Sequence, residues 1–348
     1  MLRVTLLFFC RQILPSMVKK KRATLQDIAN RVGVTKMTVS RFLRAPHSVS
    51  STTRTKIAAA VEELGYIQNR APAMLSKSLS KAIGVVIPSL SNQVFATLVQ
   101  GIEHTTGAHG YDTLIAHTGY SAVKEEEKIA MLLSYQVDGL ILSETNHTTR
   151  TLRMLERAGI PVVETMELPD TPVDMAVGLN HANVAYEVVT KMLTTGRRNI
   201  VYLAARLDTR TRLRQQGYER AMTEAGQAPM VIATEAHSSF TLGGTLLQQA
   251  LTRYPQVDGI FCTNDDIAVG AMMHCKANNI DIPHRLSVVG YNALDIGQAM
   301  TPKLTSVATP RFDIGVKSAE LIIAALNGDP PPQKSYDLGY TLTAGESL

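Results

Sequence analysis

Lys36, Met37, Thr38, Ser40, Arg41 and Arg44 crowd into one short stretch and offer hydrogen-bond donors, one soft apolar contact and no negative charge. An arginine can bond guanine O6 and N7 in bidentate fashion, and a methionine can rest on a thymine methyl. Thr38 and Ser40 suit phosphate oxygens, which position a protein on DNA without specifying sequence. A second group is spread along the chain just after short apolar runs: Ser89, Asn92, Gln93 and Phe95; His117; Glu144 and His147; Glu164; Arg206, Arg210, Arg212 and Arg214; Asn264 and Asp265; Asn292; Thr309 and Arg311. Polar groups beyond the carboxyl ends of parallel strands are where an open α/β sheet binds a small molecule. A guanidinium there supplies a fork for a carboxylate or paired hydroxyls. Each has a plainer reading: Asn264 and Asp265 can cap a helix, and Glu164 can be a solvated strand end.

The first group needs a helix to present it. Thr24 followed by Asp27 reads as an N-cap with an acidic partner, a variant of the capping box. Leu25, Ile28, Ala29 and Val32 then recur at helical spacing, and Gly33 breaks the pattern. Thr35 caps a second helix whose Val39, Phe42 and Leu43 can pack back on the first. Two short helices around a glycine turn predict a helix-turn-helix, in which the start of the second helix meets base edges. A third helix from about Ser51 to Leu64 completes the small core with Ile57, Val61 and Leu64. Residues 66–80, YIQNRAPAMLSKSLS, read as a linker. On a sharper reading they are a hinge helix formed on DNA, with Leu75 wedged between base steps of the minor groove. From residue 82 the runs AIGVVIP, DTLIAHT, DGLILS, IPVVETM, NIVYLAA, GIFCTND, LSVVGYN and LTSVAT alternate with helical patterns. That alternation predicts parallel sheets covered by helices, and the strands are too numerous for one tidy sheet.

Charge divides the chain in the same place. Residues 17–80 carry 12 Lys or Arg against 3 acidic residues, whereas residues 81–348 carry 21 against 27. A basic unit joined to an acidic body is the pattern of a nucleic-acid-binding segment with a separate partner domain. The 348 residues are 45% hydrophobic, with no apolar run of membrane-spanning length. Three cysteines, Cys10, Cys262 and Cys275, make no disulfide framework and fit a reducing, cytoplasmic setting. The opening MLRVTLLFFCRQILPS has an apolar patch but no cleavage site, and translation is expected to start at Met17. No phosphate loop, nucleophile elbow or zinc pattern is present, and His104 and His109 lack metal-ligand spacing. An enzyme, a metal centre and a cofactor are therefore not expected. An exported sugar receptor would share the body but not the basic helices.

The combination LQDIANRVGVTKMTVSRFL, then ELGYIQNR and Leu75, resembles the lactose/galactose repressor family. The resemblance implies an all-α helix-turn-helix domain at 17–68 with a hinge at 69–81. It further implies an α/β periplasmic-binding-protein-like body at 82–348, made of two parallel-sheet subdomains. The first would span about 82–180 and 309–338, the second about 181–308 and 339–348, with 1–16 an extension. The DNA-contacting set would be Thr35, Lys36, Met37, Thr38, Ser40 and Arg41, with Asn69 and Arg70 in the hinge and Leu75 intercalated. Gln68 stands where the family usually has proline. Around the effector the resemblance places Phe95, Glu164, Arg214, Asn264, Asn292 and Thr309. It implies a homodimer on a pseudo-palindromic operator, and no leucine-heptad tail follows to build a tetramer. TKMTVSR, PSLSNQVFA, CTNDDIAVG and SVATPRFDIG are similar to gluconate-utilisation repressors and idonate-type regulators. The ligand implied is gluconate or a related sugar acid, its carboxylate near Arg214 and hydroxyls on Asn264 and Asn292. Asn292 replaces an acidic residue common in the family, and losing that charge favours an anion. The alternatives are a dual activator and repressor, or a response to another sugar.

Overall fold

A computed structural model describes residues 22–68 and 79–348. The chain divides into two compact units between Ser78 and Leu79. The expectations for residues 1–16, for a start at Met17 and for Asn69, Arg70 and Leu75 lie outside the described residues.

In the small unit α1 (Leu25–Val32), α2 (Lys36–Arg44) and α3 (Ser51–Glu63) surround Ile28, Ala29, Val39, Ile57 and Ala60. α1 begins as its sequence dictates. Thr24 Oγ1 accepts the Asp27 N–H at 3.3 Å, and Asp27 Oδ2 accepts the Thr24 N–H at 2.7 Å. Gly33 ends the helix at φ 75°, a left-handed conformation that glycine enters without strain. Thr35 Oγ1 accepts the Thr38 N–H at 3.2 Å and starts α2. Arg31 ties α1 to α3 by two bonds to Glu63, but both side chains are more than half exposed, so core packing carries the unit.

The large unit has two six-stranded sheets. The first uses β1 (Ala82–Ile87), β2 (Asp112–His117), β3 (Gly139–Leu142), β4 (Val162–Glu167) and β5 (Met175–Leu179). The second uses β6 (Ile200–Ala205), β7 (Met230–Thr234), β8 (Gly259–Cys262), β9 (Ser287–Tyr291) and β10 (Thr305–Ala308). β11 (Ser335–Asp337) joins the first and β12 (Thr341–Leu342) the second, so the orders are β11-β5-β4-β3-β1-β2 and β12-β10-β9-β8-β6-β7. Every pairing is parallel except β10 with β12. Helices α4 (Gln93–Ala108), α5 (Ala122–Ser134), α6 (Thr149–Ala158), α7 (His181–Thr194) and α8 (Thr209–Glu224) follow in order. After them come α9 (Phe240–Arg253), α10 (Asp265–Ala277), α11 (Asp295–Gln298) and α12 (Arg311–Leu326). The interior strands are buried along their whole length because helices cover both faces.

Each sheet reverses its strand order once, between β1 and β3 and between β6 and β8, and these switch points open the crevices in which ligands bind. Each sheet with its helices forms a lobe, and the chain passes between lobes after β5, after β10 and after β11. The second passage is held by backbone contact. A Cβ on Gly101 of α4 would lie 2.1 Å from Phe312 O, and one on Gly315 of α12 would lie 2.2 Å from Leu98 O. Among the described residues no helix is long and apolar enough to cross a membrane.

Candidate nucleic-acid interface and ligand cleft

On α2 the buried face is Val39, with Phe42 and Leu43 packed beside it. The opposite face carries Lys36, Met37, Arg41 and Arg44, all exposed, with Met37 at 67%. Thr38 and Ser40 are half-buried at its edge. No acidic residue stands in the first turn, and Arg41 and Arg44 complement the negative end of the helix dipole. Thr35 and Thr38 share a hydroxyl contact of 3.0 Å, so Thr35 works as the cap. Arg44 Nη2 donates to Ser40 Oγ at 3.2 Å, an i,i+4 pair that steadies both side chains on the basic face. The result is a helix face with cationic, hydroxyl and thioether groups that no described residue covers, the equipment for a DNA groove.

In the large unit the six expected effector residues are all buried. Four of them form a connected floor at the ends of the second sheet's strands. Arg214 Nη1 donates to Thr263 O at 2.5 Å, and its guanidinium lies 3.7 Å over the Tyr291 ring. Arg214 Nε has no hydrogen-bond partner among the described residues. Asn264 Oδ1 accepts the Ile267 N–H at 3.2 Å and caps α10, while its Nδ2 donates to Ser238 Oγ at 2.7 Å. Asn292, at φ 105°, donates its N–H to Val307 O. Arg311 Nη1 then donates both to Asn292 O and to Thr309 Oγ1. Asp265 braces this turn, accepting the Leu294 N–H at 2.5 Å and the Ser306 hydroxyl at 2.6 Å. Burial pushes its carboxyl up to about 7. Phe95 lies at the first lobe's edge of the floor, its ring 5.8 Å from the Arg210 guanidinium.

Glu164 is placed elsewhere. It accepts the Val173 N–H at 2.6 Å and faces His147 Nε2 at 3.4 Å, while His147 Nδ1 meets Glu125 Oε2 at 2.8 Å. Burial disfavours the imidazolium, but the two carboxylates outweigh it and hold His147 up at about 9. Glu164 is thus part of a buried acid–histidine–acid bridge that ties α5, the loop after β3 and β4 together.

The four clustered arginines separate by role. Arg210 crosses from α8 to the first lobe, donating to Ser143 O at 2.7 Å and Glu144 Oε1 at 2.6 Å, with Glu167 at 3.9 Å. Its burial favours the neutral form, yet Glu144, Asp208 and Glu167 keep it charged. Arg212 is exposed. Arg206 lies 4.3 Å over the Tyr120 ring, with Nε held by Asp208 at 2.9 Å. Asp208 also caps α8, accepting the Thr211 N–H at 2.9 Å. Burial opposes its charge, but Arg210 and Arg206 hold the carboxyl well below its usual range. Three cavities of about 480, 720 and 470 Å³ open along the crevice, drawing on loops of both lobes. None of the six expected residues is among their lining residues; Arg206, Tyr120 and Asp266 are.

Sequence reasoning also passed over His181. Its Nε2 meets Met166 O at 3.0 Å and its Nδ1 meets Tyr291 Oη at 2.7 Å. A carbonyl only accepts, so Nε2 carries the proton and Nδ1 accepts from tyrosine. Burial, with Arg214 and Arg210 nearby, drives its pKa well down and keeps it neutral. The chain Met166–His181–Tyr291–Arg214–Thr263 therefore joins the lobes just after the passage from β5. Its only sequence signal is a histidine directly following the strand-to-helix cap Asn180.

Comparison with known proteins gives two family matches. Residues 24–69 match bacterial regulatory proteins of the lacI family, and residues 80–335 match periplasmic binding proteins and the sugar binding domain of the LacI family. The chain is 51% identical over 331 residues to the transcriptional regulator GntR of Escherichia coli (strain K12), covering 95% of this chain and 100% of that protein. It is 44% identical over 332 residues to the regulator IdnR of the same organism, covering 95% and 100%. Among solved structures, a LacI-family transcriptional regulator from Silicibacter pomeroyi aligns with a TM-score of 0.88 at 31% identity, covering 93% of this chain and 99% of that one.

Proposed function

The chain belongs to the LacI family of bacterial regulatory proteins, and from that premise we propose that a sugar acid, with gluconate first, releases it from its operator. It is a DNA-binding transcriptional regulator, not an enzyme. As a repressor it acts in the cytoplasm as a two-fold dimer, each protomer reading one half of a pseudo-palindromic site through α2. The observation that carries this reading is the presence, in one chain, of a basic helix face exposed among the described residues and a polar crevice at the switch points of two mostly parallel sheets.

The mechanism follows from the lobes. A ligand in the crevice closes them about the three chain passages. Phe95, Arg214, Asn264, Asn292 and Thr309 lie buried as the floor beneath it, and the crevice-lining side chains above them meet the ligand directly. Closure shifts residues 69–81, and Leu75 leaves the minor groove with Asn69 and Arg70. The shift can be no larger than the ligand's differential affinity for the open and closed states. The choice of gluconate rests on the resemblance in TKMTVSR, PSLSNQVFA and CTNDDIAVG. Calorimetric titration with D-gluconate, idonate, 6-phosphogluconate and glucose tests it. Saturable heat from gluconate, with release of operator DNA at the same concentrations, is expected. Heat from glucose alone would discard the sugar-acid reading and keep the regulator.

A further inference from the structure

The geometry points to Arg206, carried on Tyr120, as the residue that recognises the effector's carboxylate, with Asp266 on the same cavity accepting its hydroxyls. The inference deepens the sugar-acid reading and rests on it. Three of the four arginines after β6 are otherwise committed. Arg210 is locked into Ser143 O and Glu144, and Arg214 is bonded to Thr263 O and lies on Tyr291. Arg212 donates to Leu207 O with its side chain 62% exposed. Arg206 is engaged only through Nε, so Nη1 and Nη2 make no hydrogen bond to a described residue. That leaves an end-on fork matched to the two oxygens of a carboxylate. The side chain is only 17% exposed and lines the 720 Å³ cavity.

The position is built rather than incidental. Arg206 and Leu207 both adopt left-handed backbone, at φ 69° and 45°, which costs energy in residues that have a Cβ. Asp208 over-determines the turn by capping α8 and holding Arg206 Nε at once. Tyr120, at the end of β2 in the other lobe, supports the flat face of the guanidinium. The fork is therefore assembled from both lobes, and a ligand on it bears on their closure. Asp266 lines the same cavity, and its carboxylate makes no hydrogen bond or ion pair with a described residue. Ser89, Ser238, His117 and His237 add further donors and acceptors. One open guanidinium, one carboxylate and several hydrogen-bonding groups suit a monoanionic polyhydroxy acid. A phosphate ester brings two negative charges to a single cation beside Asp266, and a neutral sugar leaves the fork unpaired in a part-buried site.

The test is calorimetry on the full chain and on Arg206→Gln, using D-gluconate and D-gluconamide, the neutral amide of the same chain length. The unaltered protein is expected to prefer gluconate. In Arg206→Gln gluconate affinity falls about 10- to 100-fold while gluconamide affinity holds, so the preference collapses. Arg206→Lys, which keeps the charge without the fork, recovers part of it. Arg198→Gln removes the same charge from an exposed site and leaves both affinities as they were. A full preference for gluconate in Arg206→Gln overturns the assignment to Arg206 and leaves the sugar-acid reading standing. Equal loss for both ligands overturns the carboxylate role. If the unaltered chain binds neither ligand, the sugar-acid reading falls and takes this assignment with it.

Discussion

Arg41 stands exposed on α2, without a carboxylate beside it in the helix, free to reach a base edge. Arg41→Ala is expected to cost operator binding about 1–3 kcal/mol and to relax preference at one base position. Anisotropy titrations on operator variants check this, and an equal loss on every sequence would make Arg41 a phosphate contact. His147 poses a different residue-scale question. Its pKa in the folded chain is about 9, above the roughly 6.5 of an unfolded histidine. The bridge to Glu125 and Glu164 is therefore fully stabilising below about pH 6.5 and is lost as pH rises through 9. The stability gap between the native chain and His147→Gln should reach the order of 3 kcal/mol at pH 6 and shrink towards pH 9.5. Thermal melts across that range decide it, and a gap that does not change with pH would mean that the histidine is neutral throughout.

At the scale of elements, the point where the chain enters the first lobe is fixed by one side chain. Asp138, just before β3, accepts the Ser80 N–H and hydroxyl at 2.8 and 3.0 Å on one oxygen and the Lys81 N–H at 2.8 Å on the other. Lys81 lies at φ 57° with its ammonium 4.0 Å over Tyr111, so the start of β1 cannot swivel freely. Movement of this lobe is expected to reach the chain ahead of Leu79 through that anchor. Asp138→Asn loses acceptor capacity in a buried site, with an expected cost of about 1–3 kcal/mol in unfolding free energy. Effector affinity is expected to hold, while the ligand-driven drop in operator affinity shrinks. Paired titrations with and without ligand measure this, and an undiminished drop would show that the anchor does not transmit the change.

For the whole molecule, the two lobes are joined by buried polar groups shared across the crevice. Arg210 belongs to the second lobe but has its partners in the first, at Ser143, Glu144 and Glu167. Arg210→Met strands Glu144 without its counter-charge, and breaking such a pair from one side costs roughly 3–5 kcal/mol. Denaturant unfolding should report a loss of that size. Double substitution with Glu144→Gln should return part of it, and no recovery would mean that packing, not charge, was lost. The charge division also acts at this scale. Positive charge lies ahead of residue 81 and an acidic excess behind it, so operator binding should be steeply salt-dependent while effector binding is far less so.

Local regularities were decided within the sequence. The Thr24–Asp27 capping box, the Gly33 stop and the Thr35 cap involve neighbours one turn apart, so spacing alone specifies them. The eight apolar runs became strands, and all but the part-exposed edge strand β2 are buried enough on both faces to leave a continuous apolar signal. β5, MAVGL, and β7, MVIAT, were not among those runs, and polar β11 and two-residue β12 exist only through their pairing. The site divides along the same line. That arginines and asparagines follow the strands was legible, since crevices form at strand ends. Which arginine braces the lobes, which lies on Tyr291 and which keeps a free fork was decided only by tertiary structure. Their partners Glu144, Tyr291 and Tyr120 are 66, 77 and 86 residues away and arrive through the packing of two sheets. Side chains of one type and spacing acquire different roles when the fold gives each a different neighbour.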